Sequence, residues 1–270
     1  MKRSSKAKRT KKGAPPEIEL GGRSVRVKKP GGFLPLTIGI TGGVALATAA
    51  FWFFKHQAEQ VVEGHADRYD SALLELANRA KGPRMDLAMR AATALGSHPG
   101  TGIAAGIVAI MMIRRKRPHD ASTVLISTGG AMLLGTTLKA IFQRQRPQEL
   151  HRLIKLPKSH SFPSGHSLMS AATYPIVVHH LVERLPPPFQ RAALAATAVV
   201  ILSVGYSRVY FAVHFPSDVL AGFAAGLGWL GLTSLSHSVM ERDLSVRERR
   251  RLRAVTRELD AEGDEEPHAV

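Results

Sequence analysis

The 270-residue chain contains no cysteine. That excludes disulfide staples, thiolate metal centres and a thiolate nucleophile, so any covalent chemistry falls to another side chain. Acidic residues are also scarce, with 21 Asp and Glu against 37 Lys and Arg, a formal net charge of +16. On a water-soluble domain such a surplus would point to nucleic acid. Its placement argues otherwise. Lys2, Arg3, Lys6, Lys8, Arg9, Lys11 and Lys12 precede the first apolar run, Arg114 to Arg117 follow the second, and Arg247 to Arg253 follow the last. Basic residues gathered at alternate ends of apolar runs are the positive-inside pattern of a membrane protein, and nucleic acid is not an expected partner.

The chain also lacks an apolar average, its mean hydropathy being −0.03. Polar ends cause that by diluting long uncharged runs, and a bilayer span needs only about 20 apolar residues. Six runs read as spans: Phe33 to Phe54, Ala94 to Ile113, Ala121 to Leu138, Ser167 to Val182, Ala192 to Tyr206 and Val219 to Val239, several of them short or rich in the Gly and Ala expected where membrane helices pack closely. The expected fold is therefore all-α, a six-transmembrane-helix bundle with amphipathic interfacial helices between spans 1 and 2. Residues 1–32 form a basic cytoplasmic tail, 33–93 the first span and the outer interfacial helices, 94–240 the transmembrane core, and 241–270 an Arg-rich cytoplasmic tail. Six crossings put both termini in the cytoplasm of a multi-pass plasma (inner) membrane protein. The basic tails face anionic lipid headgroups.

Between spans 1 and 2, Val62, Ala66, Tyr69, Leu73, Leu76 and Ala80 recur at helical spacing up to a Gly82-Pro83 break, and a second short helix starts at Met85. This segment either packs on the bundle or forms a lid over a gap between helices. Phe51, Trp52, Phe53 and Phe54 read as an interfacial aromatic anchor.

Three spaced motifs carry the chemistry: Lys139-x6-Arg146-Pro147, Pro163-Ser164-Gly165-His166, and Ser207-Arg208-x5-His214-x3-Asp218. The span count places all three on the outer face. Two guanidinium forks and an ammonium, from Arg146, Arg208 and Lys139, suit an anion whose negative charge is spread over several oxygens. Lys139 and Arg146 face the same way if their helix continues for two turns, with Pro147 ending it. Ser164 can cap a helix whose first amide groups, at Gly165, approach an anion. His166 titrates near neutrality and can protonate a leaving alkoxide. His214 and Asp218 are four apart, so the carboxylate can hold one imidazole nitrogen and leave the other free to attack.

Taken singly, each residue has an ordinary explanation. Lys139, Arg146 and Arg208 could snorkel at the membrane edge, and His166 and His214 could be satisfied interfacial histidines. Complementary roles on one predicted face favour a site. His119, His151, His160, His179, His180 and His237 have no comparable partners and read as structural or surface residues; no grouping has the spacing of a zinc helix, so no metal is expected.

The three motifs resemble those of the type 2 phosphatidic acid phosphatase family, whose superfamily includes glucose-6-phosphatase and vanadium haloperoxidases. The resemblance covers Ala94 to Val239 well, and Tyr69 to Ser97 more loosely. It implies a metal-independent, cofactor-free hydrolysis of a lipid phosphate or diphosphate at the outer face. His214 would attack phosphorus, His166 would protonate the leaving group, and a phosphohistidine would form and be hydrolysed. Asp218 would orient His214, while Lys139, Arg146, Ser164, Gly165 and Arg208 would bind the phosphoryl oxygens. A vanadate-dependent haloperoxidase would use the same pocket, and a non-catalytic transporter or scaffold could bind phosphate without turnover. The long apolar spans argue against the first, and the His214-Asp218 pair argues against the second.

Overall fold

A computed structural model describes residues 17–20, 23–26, 33–148, 154 and 157–264, with side chains placed between 41 and 240. The cationic stretch Lys2 to Lys12 and His151 lie outside the described residues. The chain divides into two units, Gly39–Met240 and Met1–Ile38 with Glu241–Val270. The smaller unit contains an antiparallel hairpin, β1 (Glu17–Leu20) and β2 (Arg23–Arg26), with Glu17 opposite Arg26. This hairpin is absent from the all-α expectation, although its signal is present. Glu-Ile-Glu-Leu alternates with period two and runs into Gly21-Gly22, a two-residue hairpin connection.

Among the described residues of the larger unit every regular element is a helix. Its elements are α1 (Phe33–Val62), α2 (Asp67–Arg79), α3 (Pro83–Gly96), α4 (His98–Arg114), α5 (Pro118–Phe142), α6 (Gly165–Val182), α7 (Pro187–Tyr210) and α8 (Pro216–Asp264), of which α1 and α8 extend beyond it. Proline opens α3, α5, α7 and α8, where its missing N–H costs nothing and its fixed φ suits the first turn.

By length and apolar composition α5, α7 and Pro216–Met240 of α8 can each cross a membrane. The pair α3 and α4, bent by 57° at Ser97, can supply a fourth crossing. The run read as one span at 94–113 is therefore broken near its start. Ser97 caps α4 by accepting from the Gly100 amide at 3.1 Å. The runs at 33–54 and 167–182 fall within α1 and α6, and α6 carries Pro175 inside it. Beyond Met240, α8 continues as helix to Asp264.

Outward-facing Ile103, Ile107 and Ile110 on α4, Leu133 and Ile141 on α5, and Val199 and Leu202 on α7 are all more than half exposed. A bundle with that much apolar surface turned outward suits lipid as its solvent. Its interior is built from small and medium side chains: Ala105, Val108, Ala109 and Met112 of α4 pack with Ala121 and Val124 of α5 and Val177 of α6. Two glycines set the approach of α8 to α6. A Cβ at Gly222 would sit 2.5 Å from the Ser164 carbonyl oxygen, and one at Gly226 would sit 2.4 Å from that of Leu168. This small-xxx-small contact brings the start of α8, with Asp218, against the start of α6.

The packed face of α2 differs from the apolar stripe expected. Ala66, Asp70, Leu74 and Ala77 are buried, while Val62, Leu73 and Leu76 point outward. The inward register is fixed by a polar residue, Asp70, whose partners lie far along the chain. The aromatic cluster divides as well: Phe51, Trp52 and Phe53 are exposed, but Phe54 packs on Phe142 and Phe162 at ring distances of 6.0 and 5.9 Å.

Candidate active site

The motifs converge at one end of the bundle. Helix α5 delivers Lys139 and ends at Phe142, with Gln143 in the left-handed conformation (φ 46°) as its cap. The helix does not run on to Pro147: Arg146 lies four residues beyond its last residue, in irregular backbone. Its guanidinium is buried and points back inward. Nε donates to the Ser159 carbonyl (2.8 Å), Nη1 to the Val213 carbonyl (2.5 Å), and Nη2 to the His160 carbonyl (3.1 Å) and Ser159 Oγ (3.2 Å). Lys139 Nζ donates to the His160 and Ser161 carbonyls at 2.6 and 3.2 Å.

Ser164 is the N-cap of α6, as its position in the motif suggested; its Oγ accepts from the Ser167 amide at 3.4 Å, and its own amide donates to the Asp218 carbonyl at 2.9 Å. Gly165 opens the helix beside the Lys139 stem, and a Cβ there would lie 3.7 Å from Lys139 Cε. His166 follows on the first turn, close enough to Arg208, His214 and Lys139 to feel their charges.

Helix α7 ends at Tyr210, just after Arg208. The amides of Val213 and His214 both donate back to the Arg208 carbonyl, at 3.2 and 3.3 Å, and Ala212 takes a positive φ of 51° so that the chain can reverse. This reversal aims His214 into the protein, where it is buried beside Arg146. Arg208 donates Nη1 to Thr93 Oγ1 of α3, and its buried Nε has no acceptor among the described residues.

The hydrogen bonds specify the tautomer of His214. Arg146 Nη1 can only donate, and it lies 3.0 Å from His214 Nε2, so that nitrogen presents its lone pair. The proton then sits on Nδ1, which faces Asp218 Oδ2 at 3.3 Å. Burial, and then the charge of Arg146, hold the imidazole well below its ordinary titration range, so it is neutral at physiological pH. Asp218 is fully buried. Oδ2 also accepts from the Phe215 amide (2.9 Å) and from Ser161 Oγ, and Oδ1 accepts from Arg144 Nη1 (2.9 Å).

Arg144 and Asp70 were not identified from sequence. Arg144 bridges the two buried carboxylates: Nη1 holds Asp218, and Nη2 holds Asp70 Oδ2 at 2.8 Å. Its face lies 4.3 Å from the Phe215 ring. Asp70 accepts from the Ser217 amide at 2.9 Å and from Ser217 Oγ at 2.5 Å. Burial raises its carboxyl above the usual range, while Ser217 and Arg144 pull the other way. Ser161 and Thr93 were missed too. No spacing rule links positions 70, 93, 144, 161 and 217, since tertiary packing alone makes them neighbours.

Beside Lys139 and Gly165 opens a cavity of about 420 Å³ with apolar walls from Ala131, Met132, Gly135 and Met169, and with His98 and His160 at its edge. Cationic donors, a neutral imidazole with its lone pair set by a buried carboxylate, and an adjoining apolar cavity thus lie together at one end of the helical bundle.

The description "PAP2 superfamily" matches residues 120–240. Phosphatidylglycerophosphatase B of Bacillus subtilis (strain 168) is 32% identical over 179 residues, covering 66% of this chain and 87% of that protein. Undecaprenyl-diphosphatase of Sulfolobus acidocaldarius is 29% identical over 133 residues, covering 48% of this chain and 60% of its relative. Among solved structures, a transmembrane PAP2 type phosphatidylglycerolphosphate phosphatase from Bacillus subtilis superposes with a TM-score of 0.65 at 32% identity, covering 69% of this chain and 93% of that one. The chain belongs to the PAP2 superfamily and is a membrane phosphatase of that type.

Proposed function

We propose that the protein hydrolyses the phosphate or diphosphate monoester of a lipid at the extracytoplasmic face of the plasma (inner) membrane. The observation that carries this reading is the orientation of His214, whose Nε2 lone pair is fixed by the Nδ1 contact to Asp218 and lies among Arg146, Lys139 and Arg208. A phosphate monoester carries about two negative charges and concentrates charge on its equatorial oxygens during transfer. Its oxygens displace Arg146 from Nε2 and take donors from Lys139, Arg146, Arg208 and the Gly165 amide at the positive end of α6. Nε2 then attacks phosphorus as the phosphorus–oxygen bond to the lipid alkoxide, or to the inner phosphate of a diphosphate, breaks; the departing oxygen takes a proton from His166, whose protonated form the bound dianion favours. Asp218 steadies the charge on the phosphohistidine. His166 next removes a proton from water, which attacks phosphorus, releases inorganic phosphate and restores the imidazole. No step requires a metal ion.

The lipid nature of the substrate is supported by the apolar cavity next to Lys139, where the carbons nearest the phosphate would lie, and by relatives whose names specify phosphatidylglycerophosphate and undecaprenyl diphosphate as substrates. Six crossings, with residues 94–240 as the catalytic core and both basic tails in the cytoplasm, follow from the positive-inside pattern. The outward Leu73 and Leu76 of α2 suit a position at the outer interface. Because the chain has no native cysteine, this sidedness is directly measurable. Cysteine introduced by Lys158→Cys should react with an impermeant maleimide from outside, and that from Lys116→Cys should not.

The decisive experiment is phosphate release by the detergent-solubilised protein across a panel of lipid phosphates and diphosphates, in EDTA, with His214→Ala as the blank. Activity on at least one lipid phosphate, lost in the blank and inhibited by vanadate, is expected. Hydrolysis that persists in His214→Ala removes the mechanism.

A further inference from the structure

A second chemical cluster lies at the other end of α5, about 30 Å from Lys139 by helical rise over twenty residues. His119 and Asp120 on the first turn of α5 meet His237 of α8, and one ligand atom from each lies within 4.8 Å of the others. Sequence separation hid this group, since His237 is more than a hundred residues away and no motif spacing joins it to His119.

The donor arrangement points to a cation. Both imidazole nitrogens of His119 are shielded from solvent and have no hydrogen-bond partner among the described residues. An unmade bond at a buried polar group is costly, and His119 bears that cost on two atoms. Thr123 Oγ1 donates to the His119 carbonyl at 3.0 Å and lies 3.0 Å from His237 Nδ1. A hydroxyl that gives its one proton to the carbonyl accepts from Nδ1–H, which turns the lone pair of His237 Nε2 toward Asp120 Oδ1 at 3.5 Å. That separation is long for a hydrogen bond. It is the edge of a tetrahedron with metal–ligand bonds of about 2.1 Å.

The carboxylate of this group is itself held in place by a neighbour. Asp120 is nine-tenths buried, and its Oδ2 is held by Arg117 Nε, leaving Oδ1 for the site. Arg117 also binds Glu183 through Nη1 and Nη2, so in this ion-paired group two carboxylates face one guanidinium and a negative charge is left over. A cavity of about 190 Å³ opens beside His119 and His237, with Ser122 and Ser236 on its wall, giving room for a fourth, solvent ligand. The neighbouring trio His179, His180 and Glu183 is the poorer candidate, because both Glu183 oxygens are already taken by Arg117.

We propose that His119, Asp120 and His237 bind a divalent transition metal, zinc being the best match to two imidazoles and one carboxylate. The ion would staple the start of α5 to α8 at the end of the bundle opposite the phosphate site, and it takes no part in hydrolysis.

The test uses the full chain, purified in detergent without a histidine tag, stripped with chelator and titrated with zinc or with cobalt(II) as a spectroscopic probe. About one ion per chain is expected, with the visible bands of low-coordinate cobalt bound to nitrogen and oxygen. His119→Ala and His237→Ala should abolish uptake. Thr123→Val, which removes only the group orienting His237, should weaken it roughly 10- to 100-fold. Phosphate release at the distant site reports whether each variant is folded, and it should be unchanged in all three. His214→Ala and His180→Ala should bind cobalt normally. Wild-type protein that takes up no cobalt overturns the proposal whatever the variants do. So does uptake that survives His119→Ala, or that is lost in His214→Ala or His180→Ala.

Discussion

The two ends of α5 use the same kinds of residue to opposite effect. At the Lys139 end, Lys139, Arg144, Arg146 and Arg208 surround two buried carboxylates, Asp70 and Asp218, so two positive charges remain uncompensated. Arg146 and Lys139 are bonded mainly to carbonyl oxygens, which are neutral acceptors and leave the cations able to attract an anion. At the Arg117 end, one guanidinium is shared by Asp120 and Glu183 and the sign is reversed. Sequence position counts both sets as cations near membrane edges. What distinguishes them is the partner: a cation satisfied by carbonyls awaits an anion, whereas one satisfied by carboxylates is structural.

Substitutions can test that contrast. The largest effect is expected from Asp218→Asn, which leaves the packing intact but no longer fixes the Nδ1–H tautomer. By analogy with orienting aspartates in catalytic triads, kcat should fall about 10⁴-fold, and the melting temperature should fall as well because the buried Arg144–Asp218 pair loses its negative partner. Arg144→Met should come next. It removes a charge-assisted bond from Asp218 and the main partner of Asp70, so steady-state kinetics should show kcat down about 10- to 100-fold. The melting temperature should fall as well, because breaking a buried ion pair costs about 3–5 kcal/mol. Arg117→Met is the matched change at the other end. It should lower the melting temperature while leaving kcat/KM within about twofold, and a large loss of activity there would erase the distinction between the two ends.

The smallest effect is in the pH dependence. The unfolded His214 imidazole takes up a proton below about pH 6.5, while the folded one, depressed by burial and by Arg146, does not. The unfolded state therefore binds more protons as pH falls through that value, and stability declines with it. In chemical denaturation, His214→Gln should lose this component of the acid-side slope. The same depression keeps the nucleophile neutral in mild acid, so the acidic limb of kcat/KM assigned to His214 should lie below pH 6.5.

Much of this was legible in the chain. The motif residues of all three segments gather at one bundle end, Ser164 caps α6, and Pro216 opens α8 with Asp218 on its first turn. Those features depend on local chemistry: proline and serine at helix starts, and polar residues bordering apolar runs. The inward face of α2 was misjudged because periodicity weighs Leu73 and Leu76 above an aspartate, yet the buried bonds of Asp70 to Ser217 and Arg144 set the register. The continuation of α5 to Pro147 failed for a related reason. The left-handed cap at Gln143 frees Arg146 to turn toward carbonyls of a distant loop, and no helical spacing describes that path.

Sequence alone determined the membrane class, the superfamily and the motif side chains that gather at one end of the bundle, because each is encoded by residue type at short range. Tertiary structure alone decided which imidazole nitrogen carries the proton, which carboxylates hold Arg144 and which histidines meet across α5 and α8. Those outcomes depend on distances of about 3 Å between residues far apart in the chain, and a directional hydrogen bond exists only once packing has fixed both of its ends.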